Sequence, residues 1–448
     1  MIAVNSGSRV AAVLLVALSF LSQHLIAYSP CLMAVDSDFL KYEVTDVFVG
    51  TFRHRIEIHN SDKYRVSDLK LFVPLLTNET ARYYVFLSDI SAPRKYDELL
   101  NDSYGNLYAY WKDLVVDVGE DITVELCYKV LSYGVKYIVD PNRVGSYKPE
   151  SNFYKNFTQP EALIESDNPE IVSKAQSITG NAVNPHEKAS LIYNYVVKHL
   201  SYARQEEENG ALWALRNEVG DCSEFSYLFV ALCRAAGIPS RIKTGFVFHS
   251  APEVLEDGHM WAEYYLENYG WVPVDAAWKQ FDRIDARHFS TMQSIPERIP
   301  YTNYYFSTKT YLVLEDKQTL VLTPSSPSLF GDADFASNIT EIVREMKQID
   351  IALFLATMSS SGFLFPSESQ KILNTFEECR IGLQQAIEQK SNLKLSEVSQ
   401  KTKEIFQGVW FLLLKTLIIL AFIFTIPLLI VIILLARRRT RKFVAQTI

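Results

Sequence analysis

Cysteine is scarce in this chain, with five in 448 residues. So few cannot build the dense disulfide framework of a small secreted scaffold. Their spacing sets up no Cys/His cluster of the kind that holds structural zinc, so no metal and no cofactor is expected. Charge is also low: Asp, Glu, Lys and Arg make up 21%, against about 25% in typical soluble proteins. A basic excess is missing too, because 44 Lys and Arg against 52 Asp and Glu leave a net charge of −8. That balance excludes the positive footprint of a nucleic-acid binder. At 48% hydrophobic residues the chain is too apolar to be disordered. No internal repeat is present, and the length accommodates several domains of roughly 100–200 residues each.

The missing charge has an address. The run from Val409 to Ala436 reads VWFLLLKTLIILAFIFTIPLLIVIILLA and carries no charge from Thr416 onward. About 20 apolar residues suffice to cross a bilayer as a helix, so 409–436 is expected to be a transmembrane helix. Arg437, Arg438, Arg439, Arg441 and Lys442 follow at once. The positive-inside rule places this tail, 437–448, in the cytoplasm and the N-terminal bulk outside the cell membrane as a single-pass protein. Those five cations are the difference between −8 for the whole chain and −13 for the remainder, so the outward part is distinctly acidic. At the other end, Arg9, the apolar stretch Val10 to Leu21 and the small residues Ala27 and Ser29 have the order of a secretory signal. Residues 1–34 are read as a signal peptide or N-terminal anchor. Four N-x-S/T sequons, at Asn78, Asn101, Asn156 and Asn338, lie in the segment placed outside.

Between these ends the hydrophobic period changes twice. From 38 to 160 short runs alternate: Ile122, Val124, Leu126, Tyr128 and Val130 share one strand face, and Thr123, Glu125, Cys127 and Lys129 share the other. Similar runs surround Val47 to Ile58, Leu69 to Val73, Tyr83 to Leu87 and Leu107 to Val118. Strands without an intervening helix predict an all-β sandwich-like domain. From 165 to 325 helices and strands mix. Asn184, Pro185 and Glu187 supply the start of a helix whose apolar face is Leu191, Ile192, Tyr195, Val196 and Leu200. From 333 to 408 the period is helical again, with Ile339, Ile342, Val343, Met346, Ile349 and Leu353 on one face. A second helix opens after Pro366 with Ser367 three residues before Gln370, and Leu373, Phe376, Ile381, Leu383 and Ile387 are its apolar face. This region is read as a helical stalk whose last piece, from about Leu395, continues into the membrane helix; its apolar spacing keeps no strict heptad for long.

The stretch Gly220-Asp221-Cys222-Ser223-Glu224 carries the chemistry. Asp221 and Glu224 form a capping box that puts Cys222 at the first position of a helix, which Gly237-Ile238-Pro239 ends. A helix N-terminus favours the thiolate; the carboxylates of Asp221 and Glu224 oppose it, so a cation is needed to activate the thiol. Cys233, eleven residues further on, cannot pair with Cys222 across about 16 Å of helix and is read as core. The cation candidate is His259, which opens the strand HMWAEYYL and shares a face with Trp261. The next strand, GWVPVD, ends in Asp275, and a tight turn from Glu267 to Gly270 would bring that acid beside His259. There it would orient the imidazole that takes the thiol proton. By themselves one Cys, one His and one Asp at these separations prove little.

Four motifs in order, GDCSE, the helix end AAGIPSRIKTGF, HMWAEYYL and GWVPVDAAW, resemble the core of the transglutaminase-like superfamily, over about 160 residues. The resemblance implies an α+β papain-like core, here preceded by an all-β sandwich-like domain and followed by a helical stalk and one transmembrane helix. It also implies that Cys222 is the nucleophile, His259 the general base and Asp275 its orienting acid. Arg241 and Trp261 match motif positions with structural roles, and Asp221 supports the nucleophile's turn. Trp213, nine residues before Cys222, reads equally as cleft wall or core, and His249 as a solvated loop residue. The backbone N–H of Cys222 would serve an oxyanion hole, whose second donor the sequence does not assign. The implied activity is attack on a protein or peptide amide through a thioester. Architectures with an N-terminal β-domain and a lipid anchor resemble those read as cysteine proteases or amidases, with a protein-glutamine transglutaminase or a non-catalytic surface module as alternatives. The expected partners are a protein or peptide substrate at the cell surface and the bilayer.

Overall fold

The computed structural model describes residues 39–294, 304–309 and 314–446. The segment 1–34 read as a signal, Cys31 within it, and the side chains of the basic cluster after Arg437 lie outside the described residues.

Alternation of apolar and polar residues produces long antiparallel strands. β1 (Tyr42–Asn60), β2 (Val66–Pro74), β3 (Tyr83–Ser91), β4 (Glu98–Asn101), β5 (Leu107–Val116) and β6 (Asp121–Tyr137) follow one another without a helix. Along β6, Ile122, Val124, Leu126, Tyr128 and Val130 are buried, as their spacing predicts, and Cys127 lies on the half-exposed face. β1 pairs with β6 from Tyr42 opposite Tyr137 to His59 opposite Asp121. β2, β5 and β4 form a second sheet, and the two enclose a core of Phe52, Ile56, Leu71, Val73, Trp111 and Leu126 among others. Each such side chain, fully removed from water, contributes about 1.5–3 kcal/mol.

The mixed region begins with α1 (Asn152–Thr158), α2 (Pro169–Thr179), α3 (Pro185–His199), α4 (Ala211–Asn217) and α5 (Cys222–Ala235). Asn184 caps α3 by accepting from the His186 and Glu187 N–H groups, and its buried face is Ala189, Ile192 and Val196, whereas Leu191, expected on that face, is exposed. Strands then follow: β7 (Ser240–Val247), β8 (Glu253–Leu255), β9 (His259–Leu266), β10 (Gly270–Asp275), β11 (Gln280–Phe281), β12 (Arg283–Ile284), β13 (His288–Gln293), β14 (Tyr305–Ser307) and β15 (Leu314–Pro324). The central sheet runs β11-β10-β9-β7-β13, with α5 packed on it. The remaining strands of the mixed region join the sandwich sheets: β15 pairs with β1 from Gly50 opposite Pro324 to Asn60 opposite Leu314, β8 pairs with β15, β12 with β6 and β14 with β2. Phe246, Phe248 and Phe289 reach into the sandwich core, where Phe289 stacks on Phe52 at 5.8 Å. The mixed region is thereby fixed against the sandwich by strands that join the sandwich sheets and by a core to which its central sheet contributes.

The last part is helical: α6 (Ala333–Met358), α7 (Ser361–Leu364), α8 (Pro366–Glu388) and α9 (Asn392–Gln446). Ile339, Ile342, Val343, Met346 and Ile349 are buried against α8, α9 and the outer face of the β1 sheet. Tyr84 donates to the Ile387 carbonyl at 2.5 Å, and the Lys41 N–H to Gln384 Oε1 at 2.8 Å, so the upper end of the bundle is bonded to the sheet. Two expectations differ from the structure. Pro366, suited to the first turn because it has no N–H to leave unpaired, opens α8 without a side-chain cap from Ser367. Leu373 lies on the exposed side of α8, while Phe376, Leu383 and Ile387 are buried. α9 runs unbroken through Pro427, and it is a helix long and apolar enough to cross a membrane.

Candidate active site

The turn before α5 is built as its sequence predicts. Asp221 Oδ1 accepts from the Ser223 N–H at 3.0 Å and Glu224 Oε2 from the Asp221 N–H at 2.9 Å, a complete capping box that leaves Cys222 as the first helical residue. Gly220 is required there, because a Cβ would lie 2.3 Å from the Glu224 Cβ. Residues Ser223 to Arg234 are all buried, whereas Cys222 is partly accessible. Cys127, Cys222, Cys233 and Cys379 are free thiols. Burial pushes the Cys233 thiol far up, so it stays protonated as a core residue.

β9 and β10 pair antiparallel, with Glu263 opposite Pro273 and Ala262 opposite Val274. In this register Asp275 and His259 share a face, and His259 Nε2 lies 2.7 Å from Asp275 Oδ2. Cys222 lines the cleft beside His259, and its thiol adds to the groups that favour the charged imidazole. The structure thus brings the three residues singled out in the sequence to one place: His259 meets Asp275, and Cys222 lines the same cleft as His259. Burial disfavours a charged imidazole, but the Asp275 carboxylate, with the thiol, outweighs burial and holds His259 at about 9. Asp275 is fully buried. Burial opposes its ionisation, yet His259 and His288 hold it well below the ordinary carboxylate range.

His288 is the residue that sequence reasoning missed. It opens β13 and is fully buried, with Nε2 3.3 Å from Asp275 Oδ2 and Nδ1 3.2 Å from Asp285 Oδ1. Ionised carboxylates only accept, so a ring between two of them is favoured in the form that donates from both nitrogens. Consistent with this, the two carboxylates overcome burial and raise its pKa. Asp275 Oδ1 accepts from the Trp278 N–H at 2.9 Å, which leaves neither oxygen of this acid unpaired. The rings of Trp261 and Trp278 lie 5.3 and 5.5 Å from that of His288 and box it in. β13 comes this close because β7 has Gly245 opposite both His259 and Ser290; a Cβ there would stand 1.9 Å from the Phe289 carbonyl oxygen. The donor atoms of His259, Asp275 and His288 lie within 4.8 Å of one another, so the same residues have the types and proximity to hold a metal ion. Their 2.7 and 3.3 Å separations are those of hydrogen bonds.

The cleft above Cys222 and His259 measures about 450 Å³. One side is the capping turn with Asp221 and Glu208; the other is Tyr304, Tyr305, Phe306 and Asp316, contributed from the sandwich side. Burial, with nearby Glu224 and Asp221, pushes the Glu208 carboxyl up to about 7. Trp213 is half-buried on α4 and is not among the residues that line this cleft. Trp261 is buried, and Arg241 lies over Trp271 at 4.1 Å while pairing with Glu263 at 2.7 Å, which ties β7, β9 and β10 together. The His249 side chain is largely exposed and sits against Trp278.

The fold and this site define a papain-like α+β core with a thiol at a helix start. Residues 172–276, which include Cys222, His259 and Asp275, match the family model of the transglutaminase-like superfamily, and this segment is a transglutaminase-like domain. An uncharacterised protein of Haemophilus influenzae is 36% identical over 129 residues, covering 22% of this chain. The match spans about a third of that relative's length, 34%. Among solved structures, a candidate cysteine protease from Cytophaga hutchinsonii is similar over 63% of this chain and 100% of its own, at 16% identity and a TM-score of 0.45. The periplasmic domain of TgpA from Pseudomonas aeruginosa, bound to ethylmercury, covers 54% of this chain and 91% of its own, at 15% identity and 0.27. Red sea bream transglutaminase covers 57% and 51%, at 11% identity and 0.24.

Proposed function

We propose that the protein is a membrane-anchored thiol enzyme that hydrolyses protein or peptide amides through a Cys222 thioester. The observation that carries this reading is the 2.7 Å contact of His259 with Asp275 in a cleft that Cys222 lines beside His259. His259 takes the thiol proton, and the thiolate attacks the amide carbonyl carbon, forming a C–S bond. The resulting oxyanion lies at the start of α5, within reach of the Cys222 N–H. The imidazolium returns its proton to the leaving nitrogen as the C–N bond breaks. Water, deprotonated by His259, then displaces the thiol and releases the acid. Asp275 fixes the tautomer and stabilises the imidazolium, and His288, held by Asp285, positions Asp275.

Hydrolysis is the first reading because the cleft is open to solvent and carries Glu208, Asp221 and Asp316 beside its aromatic wall, so water reaches the thioester. The same acids favour approach of a protonated amine, which supports transglutamination as the second reading. In this account α9 spans the bilayer, the basic tail is cytoplasmic and the catalytic part is extracytoplasmic, as the charge asymmetry indicates. The test is product analysis with a peptide library and purified full-length protein. A new peptide terminus that is lost in Cys222→Ala supports hydrolysis. Ammonia release with incorporation of an added primary amine identifies transglutamination. Neither product, together with no labelling of Cys222 by iodoacetamide beyond that of free cysteine, leaves a non-catalytic module.

A further inference from the structure

Among the described residues, the lower end of the helical bundle keeps an apolar surface exposed. From Ile351 to Ser367, the last two turns of α6, all of α7 and the start of α8, there is no charged residue; Asp350 and Glu368 flank the stretch. Ile351, Phe354, Leu355 and Met358 recur on one face of α6, opposite its buried Ile349, Ala352 and Ala356. That face is exposed: Ile351 is 61%, Phe354 63% and, on α7, Phe363 74% accessible. An apolar patch of this kind on a soluble surface marks an interaction site.

The level of the patch identifies its partner. The Ser361 and Thr416 hydroxyls are hydrogen-bonded at 2.8 Å, which puts α7 beside the first residue of the charge-free run of α9. One residue earlier, Lys415 lies over the rings of Phe411 and Phe365 at 4.7 and 5.6 Å and carries its ammonium to Glu368 at 3.1 Å. An ammonium held over aromatic rings and turned back to a carboxylate, away from the charge-free run, is the posture of a lysine at a membrane boundary. Trp410 and Phe411, one turn above, are exposed, as aromatic residues at bilayer interfaces are. At about 1.5 Å per residue, Met358 and Phe354 stand within roughly 10 Å of the Ser361 level, the depth to which interfacial helices bury their apolar face.

We infer that α7 and the apolar face at the end of α6 rest in the headgroup and upper acyl region of the bilayer that α9 crosses, giving the protein a second, interfacial contact with lipid. This rests on the reading of α9 as a membrane span. A foot beside the span holds the bundle, and the cleft bonded above it through the β1 sheet, at a set orientation to the membrane surface.

The experiment uses the full chain in phosphatidylcholine and phosphatidylglycerol nanodiscs that contain a lipid with a diazirine near the headgroup end of its acyl chain. After illumination, peptides are assigned by mass spectrometry. The expected result is lipid adducts on residues 351–365 as well as on 417–436. Phe354→Glu combined with Phe363→Glu, both at exposed positions, is expected to lose the adducts on 351–365 and keep those on 417–436, with an unchanged Tm in detergent. Adducts on 417–436 alone, or cross-links joining α6 of two copies, overturn the interfacial foot and leave the span intact. No adduct on either segment overturns the span, and the foot with it.

Discussion

His288 Nε2 lies 3.3 Å from Asp275 Oδ2, on the same oxygen that meets His259 at 2.7 Å. The acid behind the imidazole is thus shared between two histidines, and Asp285 holds the second one from its other side at 3.2 Å. Replacing His288 by Leu leaves Asp285 without its imidazole partner and Asp275 with His259 alone, and breaking a buried pair this way costs about 3–5 kcal/mol, readable by urea denaturation. His288→Gln, which keeps a donor but not the charge, separates positioning from packing. With the opposing cation gone, Asp275 holds the His259 proton more tightly, so the alkaline limb of the activity profile moves to higher pH. A merely structural His288 would lower the urea midpoint and leave that limb in place.

Stability should fall as the medium becomes alkaline. The fold holds His259 protonated up to about 9, whereas an unfolded imidazole releases its proton near 6.5. Its contribution is therefore complete below about 6.5 and lost as pH rises through 9. Asp275, held below its usual range, contributes above about 3.9 and loses its effect as pH falls. Urea midpoints measured from pH 4 to 10 should decline between pH 6.5 and 9 in the native protein and show a weaker decline in Asp275→Asn. In the same variant kcat should fall by about 10³–10⁴, as an amide neither stabilises the imidazolium nor holds the tautomer.

Glu208 gives the cleft a titration near neutrality, since its carboxyl is pushed up to about 7. Below that pH it is neutral; above it the wall beside Cys222 gains a charge. For a peptide with Lys next to the scissile amide, kcat/KM should rise about fivefold through pH 7, the size of a weak ion pair. The inflection should vanish in Glu208→Gln and be absent for an uncharged peptide.

Gly245→Ala tests the approach of β13 to β7. Its Cβ would stand 1.9 Å from the Phe289 carbonyl oxygen, so the backbone that carries His288 must move. Overpacking of this kind costs about 1–3 kcal/mol. Because the displaced strand carries the residue that holds Asp275, kcat should fall at temperatures where circular dichroism shows the protein still folded.

Much of this was legible in the sequence, for local reasons. The alternation in β6, the capping box around Cys222 and the tight turn that sets His259 and Asp275 on one face are encoded within a few residues of one another. His288 was not legible, because its contact with Asp275 depends on the sheet order β9-β7-β13, which brings a later strand to the opposite edge from β10. Tyr304 to Phe306 were missed as cleft wall for the same reason: β14 reaches the site only by pairing with β2. Periodicity also misjudged Leu191 and Leu373, since an apolar spacing marks a helix face but not which of its edges a neighbour covers.

The most direct test is acid-quench mass spectrometry of the full-length protein mixed with a cleavable peptide or an activated ester. A covalent acyl adduct should appear on Cys222 alone, form far more slowly in His259→Gln and be absent in Cys222→Ala. Turnover of substrate with no adduct on Cys222, or undiminished turnover in Cys222→Ala, would contradict the account.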